Sequence, residues 1–339
     1  MAFGDQHTYV RASGWNALAN TINRVFSDAT PNSAPSTNAT VQNNYKYGWG
    51  NTFKANNVAQ GDLIEASVFN TAIDPTSVAG HVTGDIGQEV YFMRRAANER
   101  ISLTDSSLGQ TLQYYTDLIS SHKNTLAPYH GSVVTPTGGV VTRTTPWKYY
   151  MAASFEVTFD SYDKLRYFFN AGGQLQVSPT ATGGSSKGFL DWKYLTDQCG
   201  SILIGVDGAS CTGSIGMQPS GMNNLYALTQ TYQLMLTAKA NFTGSYGGYG
   251  SGAYSGYSAY SGIQIKVWGR LIGNNALLIK IIFDNRAFRH WIDGNTGFHV
   301  TYRKADPETS VQNPDVVFNV APPNSIVVLN SFDTGADDS

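Results

Sequence analysis

The sequence predicts an α+β chain: a helical N-terminal region with an extended arm, then an antiparallel, β-sandwich-like C-terminal domain. Two patterns carry that expectation. Apolar residues step by three and four in much of the first half, the period of an amphipathic helix. From Trp147 onward, short alternating or apolar runs bounded by Gly, Pro, Asn or Asp take over, the mark of strands and turns. Between them, Thr135-Pro136-Thr137-Gly138-Gly139 reads as a domain boundary. The 339 residues suffice for two domains, placed at 1–135 and 147–330, with an acidic tail at 331–339 read as a frayed terminus.

The N-terminal region opens with a pattern that occurs twice. Val10-Arg11-Ala12-Ser13-Gly14-Trp15-Asn16 and Ile64-Glu65-Ala66-Ser67-Val68-Phe69-Asn70 both run aliphatic, any, Ala, Ser, any, aromatic, Asn. Each Ser is suited to cap a helix. After the first copy, Trp15, Leu18, Ile22 and Val25 trace one apolar stripe; after the second, Phe69 and Ile73 begin one that Asp74-Pro75 cuts short. The pair reads either as a two-copy repeat (10–16 and 64–70), forming paired clips, or as chance similarity of two helix starts. Residues 29–44 are rich in Pro, Ser, Thr and Asn and are expected to form an extended arm. Tyr45-Lys46-Tyr47-Gly48-Trp49-Gly50 then clusters aromatics on a loop-like segment, which fits an interface anchor or a satellite core beneath a loop. Two further helices are expected within 86–127, on the stripes Ile86, Val90, Met93, Ala97 and Leu108, Leu112, Tyr115, Leu118, Ile119.

In the C-terminal half, strands are expected at 149–159, 174–178, 201–206, 225–241, 263–271, 276–283, 298–303 and 325–330. Residues 263–271 alternate with a slip at Trp268, and 277–283 is apolar almost throughout, as for a central strand covered on both faces. About eight strands in this length suggest a β-sandwich. The organising passage lies at 155–177. Phe155, Val157 and Phe159 alternate; Asp160-Ser161 offers a helix cap; Tyr162, Leu165, Arg166 and Phe169 follow at helical spacing. Asn170-Ala171-Gly172-Gly173 supplies a glycine stop, and Leu175 and Val177 resume alternation. Phe168, Phe169, Asn170, Gly172 and Gly173 are thus expected to form the inner corner of this half.

That corner also carries a resemblance. Arg166-Tyr167-Phe168-Phe169-Asn170-Ala171-Gly172-Gly173, the Trp-centred Asp191-Trp192-Lys193-Tyr194-Leu195, a strand led by Tyr232, Phe283-Asp284-Asn285 and Asp293-Gly294-Asn295-Thr296-Gly297 resemble structural proteins of tailed-bacteriophage virions. The resemblance spans roughly 155–320 and implies a tail- or neck-associated part with no catalytic residue.

One insert stands out between strand signals. Residues 244–262 are almost wholly Gly, Ser and Tyr, with Tyr246, Tyr249, Tyr254, Tyr257 and Tyr260 spaced along it. That alphabet is the one antibody paratopes use. It reads as a contact loop for a host surface receptor, as packing against a neighbouring subunit, or as a tip with no partner.

Composition narrows the chemistry. Net charge is −2 and 14% of residues are charged, without a basic stripe, so nucleic acid is not an expected partner. The start shows no secretory leader and no window suits membrane insertion. Cys199 and Cys211 fit no metal motif; a reducing cytoplasm would keep them as thiols, and a disulfide between them is the alternative. His7, His81, His122, His130, His290 and His299 show no ligand spacing, and no nucleophile elbow or phosphate loop occurs. His290 near Asp284 and Asp293 could be drawn as an acid–base site, but both aspartates read as turn residues at strand ends. No cofactor, metal or catalytic residue is expected. The functional expectation is a virion component assembled in the host cytoplasm, acting as a homo-oligomer (trimer or ring) with other virion structural proteins. Trp15, Leu18, Tyr47, Trp49 and Phe69 are the expected assembly contacts. The alternatives are a receptor-binding fibre or adhesin using the 244–262 loop, or a capsid decoration protein.

Overall fold

In a computed structural model of the chain, the structure describes residues 12–27, 34–50, 55–62, 116–117, 120–121, 123–124, 131–136, 139–213, 216–219, 222–239, 263–285, 291–305 and 321–329. The second repeat copy with Phe69, most of the 86–127 helical pattern, the 244–262 insert with its five tyrosines and the acidic tail lie outside these residues.

In chain order the elements are α1 (Ala12–Ile22), α2 (Ala39–Asn44), β1 (Gly131–Val134), β2 (Val140–Arg143), β3 (Tyr150–Thr158), α3 (Tyr162–Asn170), β4 (Gln174–Thr182), α4 (Lys187–Cys199), β5 (Ile202–Gly205), β6 (Gly208–Cys211), β7 (Gly216–Pro219), β8 (Gln233–Lys239), β9 (Gln264–Ile272), β10 (Ala276–Asp284), β11 (Asn295–Ala305) and β12 (Ser325–Val328). The chain is mixed α+β. Among the described residues the strands form two six-stranded sheets, one ordered β1-β11-β4-β5-β6 with β2 also on β11, the other β12-β3-β10-β9-β8-β7. All the pairings among them are antiparallel.

Several elements form as their residues dictate. The α1 stripe buries Trp15, Leu18 and Ile22, and Val25 and Phe26 continue it in the wider turn Asn23–Ser27. Ser13 is already inside the helix and does not cap it. Residues 39–44, expected as part of an extended arm, are helical instead. The reason is local: Asn38 Oδ1 accepts from the backbone N–H groups of Thr40 (2.9 Å) and Val41 (3.3 Å), which starts α2. Residues 225–232, expected as the start of a long strand, hold a 3-10 turn at Leu225–Ala227, capped by the Asn224 side chain. The strand proper begins at Gln233.

The slip expected at Trp268 belongs to the neighbouring strand. β9 keeps strict alternation, with Gly269 buried and Trp268 on the outer face. In β8, Leu234 opposes Trp268 and Leu236 opposes Val267, so Met235 is an extra, bulged residue. A Cβ on Gly269 would stand 2.5 Å from the Met235 sulfur. Glycine therefore occupies an inward position because Met235 fills it. β10 is central, between β3 and β9. Leu277, Leu278 and Ile279 are buried on both faces, whereas Lys280 and Ile282 are half-buried, so cover on the second face is interrupted in the middle of the strand and resumes at Asp284.

The stretch expected as a domain boundary lies inside one edge of the first sheet. Val134 opposes Tyr302 and Val140 opposes His299, so both strands run along the same side of β11, with Val300 and Thr301 between their pairings. β1 and β2 are thus two lengths of one sheet edge. The Gly139 carbonyl accepts from Val300 N–H (2.6 Å) and re-enters the ladder. The described N-terminal residues also share one continuous core with the sheets: Trp15, Ile22, Tyr45 and Trp49 cluster with Phe155, Phe168 and Ile265. Between the sheets, Phe155 of β3 meets Phe298 of β11 at 6.3 Å, and Trp192 of α4 lies against Trp147 (5.3 Å) and Phe283 (5.2 Å).

At Gly297 the strands leave no room for a side chain: a Cβ there would overlap the Val141 carbonyl oxygen and lie 2.9 Å from Thr142 Cα. Gly297→Ala is expected to lower unfolding free energy by about 2–3 kcal/mol through overpacking. Gly61 has positive φ (96°) but no atom within 4 Å of a built Cβ. Gly61→Ala is expected to cost only about 1 kcal/mol, and urea titration of the two variants measures the difference.

Candidate functional site: the junction around Asn170

The site grows out of α3. Ser161 Oγ accepts from Lys164 N–H (3.2 Å) and starts the helix, whose inner face buries Tyr162, Leu165, Arg166, Phe168, Phe169 and Asn170. Gly172 (φ 85°) turns the chain out, and Gly173 N–H returns to the Phe168 carbonyl (2.8 Å). Phe168 and Phe169 form the expected plug: their rings stand 5.0 Å apart and 5.5 and 6.1 Å from Phe159. Phe168 also reaches Tyr302 of β11 (6.2 Å), so the corner touches both sheets.

Above the plug lies a polar layer. Asn170 Nδ2 donates to the carbonyls of Tyr45 (2.7 Å), Tyr47 (2.8 Å) and Gly48 (3.0 Å). Its two hydrogens serve three acceptors, so one bond is shared. Asn170 Oδ1 accepts from the Tyr226 hydroxyl (2.7 Å), leaving the whole amide satisfied. Arg166, with no exposed surface, donates to Asp163 Oδ1 (2.9 Å) and to the Tyr47 carbonyl (3.0 Å). Asn124 Nδ2 donates to the carbonyl of Lys46 (2.7 Å). Four consecutive carbonyls, Tyr45 to Gly48, therefore receive side-chain donors. These residues form no strand, so buried carbonyls here must find partners outside a ladder. Burial raises the Tyr45 hydroxyl above its ordinary pKa, partly offset by Arg166, and burial raises Tyr162 likewise, so both phenols stay neutral.

A second clamp of the same kind sits on α1. Asn16 Nδ2 donates to the Val58 carbonyl and Asn16 Oδ1 accepts from Val58 N–H, both at 2.9 Å. Asn23 does the same with Ala55 (2.8 and 2.7 Å), and Trp15 Nε1 donates to the Asn56 carbonyl (2.9 Å). A carboxamide mimics the peptide group, so each asparagine pairs with both the N–H and the C=O of one backbone residue, as a neighbouring strand would. In chemical terms the two layers are sites for gripping polypeptide backbone.

No family model, curated protein or solved structure matches this chain.

The expected assembly contacts take other places. Trp15 and Leu18 have no exposed surface and Trp49 keeps 2%, so these rings face the chain's own core and not a surface open to a neighbouring subunit. Trp49 packs edge-on against Phe26 (4.6 Å) and donates through Nε1 to the Lys123 carbonyl (2.9 Å). Of the two readings of residues 45–50, the core is the one seen. Tyr47 is half-buried beneath the Arg24 guanidinium, 3.5 Å from its ring centre. All five corner residues meet at the junction, whereas Phe69 and the insert tyrosines lie outside the described residues.

Asp284 and Asp293 each engage other partners. Asp284, at the end of β10, is buried and ion-paired with Lys266 (2.8 Å). Asp293 accepts from the backbone N–H groups of Ser185 and Ser186, which precede α4. His290 lies outside the described residues. Among the described residues no group of three His, Cys, Asp or Glu could hold a metal ion, and no helix is long and apolar enough to cross a membrane.

Reading the sequence missed Arg166, Tyr226, Asn124 and the roles of Asn16 and Asn23. Two signals were present: an arginine on the apolar stripe of α3, and an Asn closing each copy of the repeated pattern.

Asn170→Asp would set carboxylate oxygens against three carbonyls, and a loss of at least about 3 kcal/mol is expected. Hydrogen exchange should show residues 45–50 losing protection first, while Tyr226→Phe removes the hydroxyl shared between Asn170 Oδ1 (2.7 Å) and the Arg166 carbonyl (3.3 Å) at about 1–3 kcal/mol. Hydrogen bonds from the Ser186 hydroxyl and from the amides of Ser186 and Ser185 hold the Asp293 carboxyl below its ordinary pKa. Its contribution is therefore present above the ordinary aspartate range and lost as pH falls through the lowered value. Asp293→Asn should flatten the acid limb of a stability–pH curve slightly, since the group is only half-buried and water screens it.

Proposed function

We propose that this chain is a structural protein of a tailed-bacteriophage virion, in a tail, neck or fibre-attachment part, acting by protein–protein assembly and not by catalysis. The two sheets pack face to face as a sandwich, with Phe155 and Phe298 at the contact. The observation that carries the assembly reading is the character of the sheet edges. β12 has no partner strand on its outer side among the described residues, and it leaves Val327 50% and Leu329 46% exposed. The β1–β2 edge likewise exposes Val133 (54%) and Val140 (50%). Chains that remain single commonly blunt such edges with charge, bulges or cover; apolar side chains along an open edge suit pairing with a like edge or an added strand. The weakly charged composition agrees, because contacts built from apolar area and amide bonds need few charges.

In this reading the copies form a trimer or ring through their edges and join other virion proteins in the host cytoplasm. The N-terminal clamps hold each subunit's own backbone, leaving the edges as the assembly surface. The resemblance of residues 155–320 to tailed-phage structural proteins supports the class of particle.

Light scattering coupled to size exclusion tests the reading. The purified chain is expected to be oligomeric at micromolar concentration and to stay so in 1 M salt, where screening acts over roughly 3 Å. Val327→Glu with Leu329→Glu should weaken association at least about tenfold while the circular dichroism spectrum is kept. A monomeric wild-type chain would sink the proposal.

A further inference from the structure

Cys199 and Cys211 lie 3.2 Å apart, sulfur to sulfur, as unbonded thiols. Cys199 is the last residue of α4 and is fully buried; Cys211 ends β6 and is partly exposed. Their backbones are pinned on both sides. Thr212 N–H donates to the Ser201 carbonyl (2.8 Å), Gly213 N–H to the Cys199 carbonyl (3.0 Å), and Ser201 N–H to Thr212 Oγ1 (2.9 Å). Ile202 opposes Cys211 directly in the β5–β6 ladder. A disulfide needs its sulfurs at about 2 Å with both Cβ atoms turned toward each other. At 3.2 Å the sulfurs lie about 1.2 Å beyond that bond length, across backbone that hydrogen bonds already hold together.

We propose that Cys199 and Cys211 are an oxidation site, a dithiol that closes to an intramolecular disulfide when a small-molecule disulfide is supplied, and that closure fastens the C-terminal end of α4 to the β6 edge of the first sheet. The roles of the two sulfurs differ. Cys211 is reachable from solvent, and the hydrogen bond from the Cys199 thiol favours its thiolate, lowering its pKa; the same contact, with burial, raises Cys199. The Cys211 thiolate attacks one sulfur of glutathione disulfide, forming a Cys211–glutathione bond and releasing one glutathione thiolate, which takes up a proton. Cys199 then gives up its proton, and its sulfur attacks Cys211 Sγ and expels the second glutathione. Two protein thiols are oxidised, and one small disulfide is reduced to two thiols.

The test uses the full chain, whose cysteines number two. It is incubated with glutathione disulfide, acid-quenched, unfolded and treated with iodoacetamide. Intact mass spectrometry should show loss of two hydrogens and no alkylation, and a non-reduced digest should join the peptides bearing Cys199 and Cys211. Thermal unfolding should shift upward by a few degrees and return after reduction. Cys199→Ser should instead accumulate a stable glutathione adduct on Cys211, because the resolving sulfur is gone. Two alkylated thiols after oxidation, a lasting adduct on the unaltered chain, or a disulfide-linked dimer on a non-reducing gel would each overturn the proposal. The readings on the unaltered chain decide the matter even if the variant fails to fold.

Discussion

The described structure depends on one neutral amide. Asn170 stands where the aromatic plug of α3 meets a run of chain that is neither helix nor strand. Carbonyls buried there without partners would each cost on the order of 1–3 kcal/mol. A single carboxamide meets three of them and is itself held by the Tyr226 hydroxyl. No other side chain of this size would serve. Leucine fills the volume but satisfies nothing, aspartate offers only acceptors, and lysine brings a charge that burial opposes. Arg166 next to it is charged and buried, and is tolerable because Asp163 and the Tyr47 carbonyl take its donors.

The same device recurs where loops must be held against the core. Asn16 and Asn23 grip residues 55–58, Asn275 donates to the Phe159 carbonyl (2.6 Å), and Asn285 donates to the Lys148 carbonyl (2.6 Å). A chain poor in charge but supplied with amides can thus bury irregular backbone mainly on neutral donors, with Arg166 the charged exception at Tyr47. The glycines complement it. Gly269 makes room for the bulged Met235, and Gly297 lets β2 approach β11.

Much of this was legible in the residues, and the rest was hidden for physical reasons. The α1 stripe, the α3 cap and its glycine stop, and β3, β9 and β10 could be read because period and punctuation agree over several residues. β1, β2, β6 and β7 are four residues each and lack the three consecutive aliphatic residues that mark the equally short β5 and β12. α4 was seen only as a Trp-centred segment, because its apolar residues Phe189, Trp192 and Leu195 are interleaved with Lys and Asp. The aromatics of 15–49 suit an interface or a core equally, since nothing in a sequence says whether such a ring faces its own chain or a neighbour's; the burial of Trp15, Leu18 and Trp49 places these three in the chain's own core. The Asn170 hub depends on contacts from residues more than a hundred positions away, which no local pattern encodes.

The root of the tyrosine-rich insert has a consequence for how this chain could change. Lys239, the last residue of β8, is paired with Gln264, the first of β9, and Gln264 is paired in turn with Asp284. The two stumps are therefore fixed at one inter-strand spacing, about 4.8 Å, by a three-strand stem beneath them. Lengthening a tether between fixed stumps costs only about 0.6 kcal/mol per doubling. The register of the frame beneath the stumps is therefore set by β8, β9 and β10 themselves, whatever the number of residues that join Lys239 to Gln264.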